Sequence, residues 1–146
     1  GLFRARRQVV TALPAELPGA RHSLYPLLTN DDGSVWIGTD GVGLLRWQDG
    51  RLESHRPSSR EGMLSVLGNI QTIHRDGAGE LWINGLWRYR AGQYQPAPWQ
   101  ARVLADGYLW ASAMADAAGV YWIGTGGGLY RAEGDSMTRY TEADGL

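Results

Sequence analysis

At 146 residues, with 43% hydrophobic and 20% charged side chains, the chain is long and apolar enough to bury a core, and it is globular rather than disordered. Fourteen basic against fifteen acidic side chains give a formal net charge of −1, which supplies no clustered positive field for nucleic acid; the short group Arg4, Arg6 and Arg7 reads as a solvated strand face. The absence of cysteine excludes a disulfide framework, a thiolate metal site and a cysteine nucleophile, and no apolar run approaches the ~20 residues of a membrane span.

Twenty-one glycines, seven tryptophans and seven tyrosines beside a single phenylalanine predict short strands joined by tight turns. The opening "GLFRARRQVV" has no apolar core of a signal peptide and no initiating methionine. Residues 1 to 12 read as two strands, followed by the irregular link "LPGARHS". A first four-strand unit then runs "SLYPLL", "SVWIG", "GLLRW" and "RLESH". A second irregular link, "REGMLSVLGN", leads to "NIQTIHR", "ELWIN", "GLWRYR" and "QYQPA", and a third unit holds "WASAMA", "VYWIG", "GLYRA" and "MTRYT". The turns "DDG", "DGAG" and "DAAG" suit hairpins that need positive φ, and the polar turns "QDG", "AG" and "EGD" join third to fourth strands. Second strands are apolar on both faces, which predicts burial between neighbouring sheets. His55 falls on an outer strand and is expected to face solvent, His74 closes a first strand, and His22 lies in a link; none forms a spaced metal pair.

Aligned on Trp36, Trp82 and Trp122, the units superimpose. Asn30, Asp76 and Asp116 stand six residues before the tryptophan, Gly33, Gly79 and Gly119 three before it, and isoleucine follows it each time. Gly-Leu pairs begin at Gly1, Gly43, Gly85 and Gly128, so successive pairs are 42, 42 and 43 residues apart. A unit of about 40–45 residues holds four short strands, as in a propeller blade, whereas helical repeats need a 3.6-residue periodicity that is missing. The expected fold is all-β: a β-propeller segment of three complete four-stranded antiparallel blades, at about 22–56, 68–97 and 108–142, plus half of a preceding blade at about 1–12. Such an array does not close a ring and leaves blade faces uncovered. The chain is therefore expected to be an internal segment of a longer propeller, whose remainder comes from the same polypeptide or another chain.

Asp, two residues, Gly, any residue, an apolar residue, Trp-Ile-Gly-Thr, then Gly-Leu-Tyr-Arg, as in "DAAGVYWIGTGGGLYR", resembles the two-component regulator propeller repeat, and "YTEADGL" is similar to that family's link between blades. The resemblance covers essentially the whole chain; "WINGLW" in the second unit departs from it, as do the two irregular links. It implies a seven-bladed propeller, usually paired with another, in the periplasmic or other extracytoplasmic sensor region of a membrane-bound hybrid histidine kinase or a diguanylate cyclase. It also implies a small-molecule signal, often an oligosaccharide, and a dimeric full-length protein.

Equivalent placement makes Trp36, Trp82 and Trp122, with Gly33, Gly79 and Gly119, the structural core of the repeat. Aromatics off the repeat register, Trp99, Trp110 and Tyr108, are the natural ligand-stacking candidates, set against packing between blades as the plainer role. The glycines of "WIGTGGGLY" are scaffold: a phosphate loop needs Lys-Ser/Thr and a helix where Leu129-Tyr130 and a strand stand, and a dinucleotide fingerprint needs a strand-turn-helix. "NDDGS" lacks the acidic twelfth residue of a calcium loop, because position 41 is glycine, and is read as a hairpin turn. It also matches an Asp-box, but the register with Asp six before Trp fits all three units. No nucleophile elbow and no paired carboxylates occur, so no catalytic residue, cofactor or metal is expected. Links entering first strands gather at one propeller face, which makes Arg21, His22, Asn69, Gln71, Tyr108 and Trp110 the candidate ligand surface. The function expected is ligand sensing or interaction; the alternatives are a catalytic propeller (a polysaccharide lyase or sialidase-like hydrolase) and a structural scaffold.

Overall fold

The computed structural model describes residues 3–6, 9–12, 24–57, 68–109 and 111–146. Strands β1 (Phe3–Arg6) and β2 (Val9–Ala12) form an antiparallel pair. Three four-stranded antiparallel meanders follow, each in chain order: β3 (Leu24–Thr29) to β6 (Arg51–Ser54), β7 (Ile73–Arg75) to β10 (Gln93–Pro96), and β11 (Ser112–Ala115) to β14 (Ser136–Tyr140). This is a propeller segment of three blades preceded by a strand pair.

The turn from first to second strand recurs in every blade. The N–H of Asn30, Asp76 and Asp116 donates to the carbonyl of Ser34, Glu80 and Val120 at 2.9, 3.1 and 2.9 Å, and the N–H of Gly33, Gly79 and Gly119 donates back at 3.0 Å each. Those glycines have φ of 79°, 83° and 79° and open space around them, so the backbone conformation rather than crowding requires glycine there. In blades two and three the aspartate also spans the turn with its side chain. Asp76 accepts from Ala78 N–H, Glu80 N–H and the Trp82 indole at 2.9, 3.0 and 2.9 Å, and Asp116 accepts from Ala118, Val120 and Trp122 at 2.9, 3.0 and 3.2 Å. Blade one differs: Asn30 donates to Ser34 Oγ, while Asp32 takes the Ser34 N–H and hydroxyl and pairs with Arg46 at 3.0 Å.

Second strands β4 (Val35–Thr39), β8 (Leu81–Ile83) and β12 (Tyr121–Thr125) lie between blades with the two-residue alternation of a strand. Trp36 faces forward onto Leu81, Ile83 and Tyr89 of blade two, while Ile37 turns back toward Val42 and Leu45. Trp82 faces forward onto Ile123, Tyr130 and Ala132 of blade three. On each third strand the cross-strand partner of the tryptophan is an arginine, Arg46, Arg88 or Arg131, whose guanidinium lies 5.6, 6.0 or 5.9 Å from the ring centre.

Three local expectations change. "NIQTIHR" contributes only Ile73–Arg75 to its sheet, because the N–H groups of Gln71 and Thr72 bond to Asn84 Oδ1 at 2.8 and 3.2 Å and Asn69 bridges to Asp40 of blade one. Between blades two and three the chain forms a helix, α1 (Gln100–Ala105), anchored by buried Val103. One and a half turns carry no periodic signal, and such a helix persists only through packing. His55 does not face solvent: its ring lies 4.8 Å from Trp36 and its Nδ1 is 2.6 Å from the Tyr89 hydroxyl. Strand β6 ends at Ser54, so the alternation that would turn residue 55 outward no longer applies. Burial lowers the His55 pKa below its ordinary value.

The shortened phrase "WINGLW" makes a tight hairpin through Asn84 and Gly85 at φ 50° and 62°, joining β8 to β9 (Trp87–Arg90), the pattern of an Asn-Gly type I′ turn. A Cβ on Gly85 would lie 3.0–3.1 Å from backbone atoms of Ala111 and Ala113. Gly85→Ala is expected to cost about 2 kcal/mol in urea unfolding; a midpoint within error of wild type would contradict the close approach.

Candidate functional site

A cleft of about 590 Å³ lies between blades two and three. It lies at the end where the chain enters β7 and β11 and where β12 turns into β13 (Gly128–Glu133), with Gln71 and Thr72 on one side, Gly124, Thr125 and Gly126 on the other, and the segment 107–109 with Ala111 and Ser112 between.

Asn84 fastens the floor. Its side chain is fully buried; Oδ1 takes the backbone N–H groups of Gln71 and Thr72, Nδ2 donates to the Asn69 carbonyl at 2.8 Å, and its own carbonyl accepts from Ala111 N–H at 3.2 Å. The side-chain amide thus satisfies three backbone groups of the segment 69–72, while the Asn84 backbone carbonyl holds Ala111. The Thr72 hydroxyl adds a bond to the Ala111 carbonyl at 3.2 Å.

Tyr108 is held over the glycine corner. Its hydroxyl accepts from Arg139 at 2.9 Å, and the guanidinium lies 5.5 Å from the Tyr108 ring centre and 5.6 Å from that of Tyr130. Arg139 also donates to the Gly127 carbonyl at 2.9 Å. A Cβ on Gly127 would fall 1.5 Å from the Tyr108 hydroxyl, so the middle glycine of "GTGGGLY" is the seat of this tyrosine. Asp106, at the end of α1, closes the network: it accepts from the Tyr130 hydroxyl at 2.7 Å and lies within ion-pair distance of Arg102 and Arg139. The Tyr130 bond leads the causes that hold the Asp106 carboxyl below its ordinary pKa, with the two guanidinium groups reinforcing it. Tyr130 moves the opposite way, up to about 12, through burial first and then the Asp106 carboxylate.

Of the residues expected at a ligand surface, Gln71 and Tyr108 line this one cleft. Asn69 sits beneath it, with its carbonyl on Asn84 and its backbone bridged to Asp40. Arg21, His22 and Trp110 lie outside the described residues. Trp99 is core rather than a stacking platform: it is buried, lies parallel to Trp82 at 5.0 Å and donates its indole N–H to the Gly85 carbonyl at 2.8 Å. Trp36 and Trp82 are buried, whereas Trp122 is half-buried, because among the described residues no following blade covers it. Asn84, Gly127 and Arg139 escaped the sequence reading; the signal for the first was the departure "WINGLW" itself. Among the described residues no group of three or more His, Asp or Glu side chains converges as a metal site, and no helix is long and apolar enough to cross a membrane.

No protein-family model matches the chain, and no curated protein matches it. Solved structures do. Two crystal structures of the extracellular domain of one signalling system of B. thetaiotaomicron, described as a one component system in one case and a hybrid two component system in the other, are similar to it. The first gives a TM-score of 0.55 at 20% identity over 80% of this chain, the second 0.53 at 19% over 81%. This chain spans 16% and 18% of the length of those two. Likeness at this level establishes the shared fold alone, a β-propeller segment of four-stranded antiparallel blades.

Proposed function

We propose that the chain is a ligand-sensing propeller module of a membrane-bound signalling protein of the two-component type, acting outside the cytoplasm and carrying no chemistry of its own. The observation that supports this reading is where the departures from the repeat gather. Off-register Tyr108, just after the inserted helix, and Gln71 and Thr72, whose N–H groups Asn84 holds, line one cleft, and a volume of about 590 Å³ falls within the ordinary range for small-ligand sites. The lining residues carry hydroxyl, amide and aromatic groups but no carboxylate, imidazole or amine, a set suited to recognition rather than proton transfer. An oligosaccharide fits that chemistry, with hydroxyls to hydrogen-bond and an apolar ring face to lie against Tyr108. Ligand binding would bias the arrangement of domains beyond this chain, in a dimer, by favouring one of two states.

A further blade, from the same polypeptide or another chain, is the partner we propose for the forward face of blade three. There half-buried Trp122 and Met114, 60% exposed, present the surface that blades one and two bury against their successors. Calorimetry against an oligosaccharide panel tests the cleft. Tyr108→Ala should weaken the best binder by about tenfold, the worth of one aromatic contact, and Gln71→Ala should weaken it as well. Unchanged affinity in both variants would remove the cleft from consideration.

A further inference from the structure

The groove between blades one and two differs in charge from its counterpart between blades two and three. In the second groove the carboxylate of Asp76 accepts from the Trp82 indole at 2.9 Å and from the Tyr121 hydroxyl at 3.4 Å. The residue that ends the next blade's first strand there is Ala115. In the first groove the carboxylate is replaced by the amide of Asn30, and the position of Ala115 is taken by Arg75, which donates to Asn30 Oδ1. At this place in the repeat an amide replaces the carboxylate, whose charge is carried instead by Asp32 on Arg46, and a positive group, Arg75, is added.

The donors left behind have too few acceptors. The Asn30 side chain bonds to Ser34 and Arg75 rather than to the Trp36 indole. The Nε of Arg75 is buried without a hydrogen-bond partner; that of Arg46 is too, but so is its counterpart on Arg88 in the second groove, so Arg75 is what distinguishes the first. Arg46 is paired with Asp32 at 3.0 Å and Arg90 with Glu80 at 3.7 Å, but half-buried Arg75 has no carboxylate partner among the described residues. A recess of about 320 Å³ is lined by Asn30, Trp36, Arg46, Arg75, Tyr89 and Arg90 among others. A half-buried guanidinium without a counter-ion is costly, and an oxyanion that offers two oxygens satisfies its fork in two bonds at once.

We propose that this groove binds an oxyanion, the carboxylate, sulfate or phosphate group of an acidic ligand, at the place where Asp76 supplies an internal carboxylate one blade further on. The site is separate from the cleft at Tyr108 and does not depend on how that cleft is used. The test follows the indole N–H signals by NMR while the protein is titrated with sodium sulfate, phosphate or acetate at constant ionic strength. The Trp36 signal should shift saturably and the Trp82 signal, whose carboxylate is built in, should not. The three salts distinguish which oxyanion is preferred. Asn30→Asp restores the carboxylate of the repeat and should weaken the best anion at least tenfold while keeping the fold; Arg75→Gln should do the same. An unmoved Trp36 signal, an equal response of Trp82, or wild-type affinity in Asn30→Asp overturns the proposal. The last variant keeps it decidable if Arg75→Gln fails to fold.

Discussion

Trp99→Ala should destabilise the protein by about 4 kcal/mol, the upper range for removing a buried aromatic, and lower the melting temperature by roughly 12 °C for a chain of this size. Trp99 is 6% exposed, stacks on Trp82 at 5.0 Å and 9°, and meets Tyr121 at 4.9 Å. It therefore joins the second strands of two blades to the start of α1, and truncation opens a void that no single blade can close. Trp99→Phe keeps most of the contact but loses the indole bond to Gly85, so about 1 kcal/mol of the loss should remain. Thermal melts and urea titrations of both variants check this. A loss of ligand affinity at wild-type stability would instead make Trp99 a ligand platform.

Asp76→Ala is expected to cost about 3 kcal/mol, because the carboxylate is the shared acceptor of two backbone N–H groups and the Trp82 indole. Burial of the Asp76 carboxyl opposes ionisation, but the bonds from Trp82, Glu80 and Ala78 outweigh it and hold its pKa below the ordinary 3.8. Protons therefore bind the unfolded chain more readily than the folded one. The contribution is complete above pH 3.8 and is lost as pH falls below it through the folded value. The stability gap between wild type and Asp76→Ala should shrink as pH is lowered from 5 toward 2. A gap that stays constant across that window would show that the charged form is not what Trp82 and the turn require. Asp116 has the same bonds, led by the Trp122 indole, and the same direction of shift, but among the described residues no further blade covers its tryptophan. The same substitution there should cost less than at Asp76.

These two residues illustrate what a linear reading can and cannot reach. The spacing of six between Asp76 and Trp82 is visible in the sequence because both ends belong to one turn, and the bond between them explains the spacing. Trp99 is equally important to packing, yet nothing local marks it, since its partners Trp82 and Tyr121 belong to the two blades on either side of it. The candidate site divides in the same way. Gln71 and Tyr108 are legible as residues of links that enter first strands. The roles of Asn84, Gly127 and Arg139 are not, because each acts on a segment brought close only when blades pack.

The sequence by itself determined the blade: four strands in chain order, the turn glycines at positive φ, and a core tryptophan on each second strand. These follow from two-residue alternation and turn chemistry, which operate within a unit of about 40 residues. Only the tertiary structure decided which departures from the repeat meet. It set Tyr108 over Gly127 through Arg139, turned His55 inward onto Trp36, and placed Arg75 against Asn30 across 45 residues of chain. The physical reason is that blades touch through side chains whose partners lie one repeat away, so the order of strands leaves the chemistry of each interface open until the blades are packed.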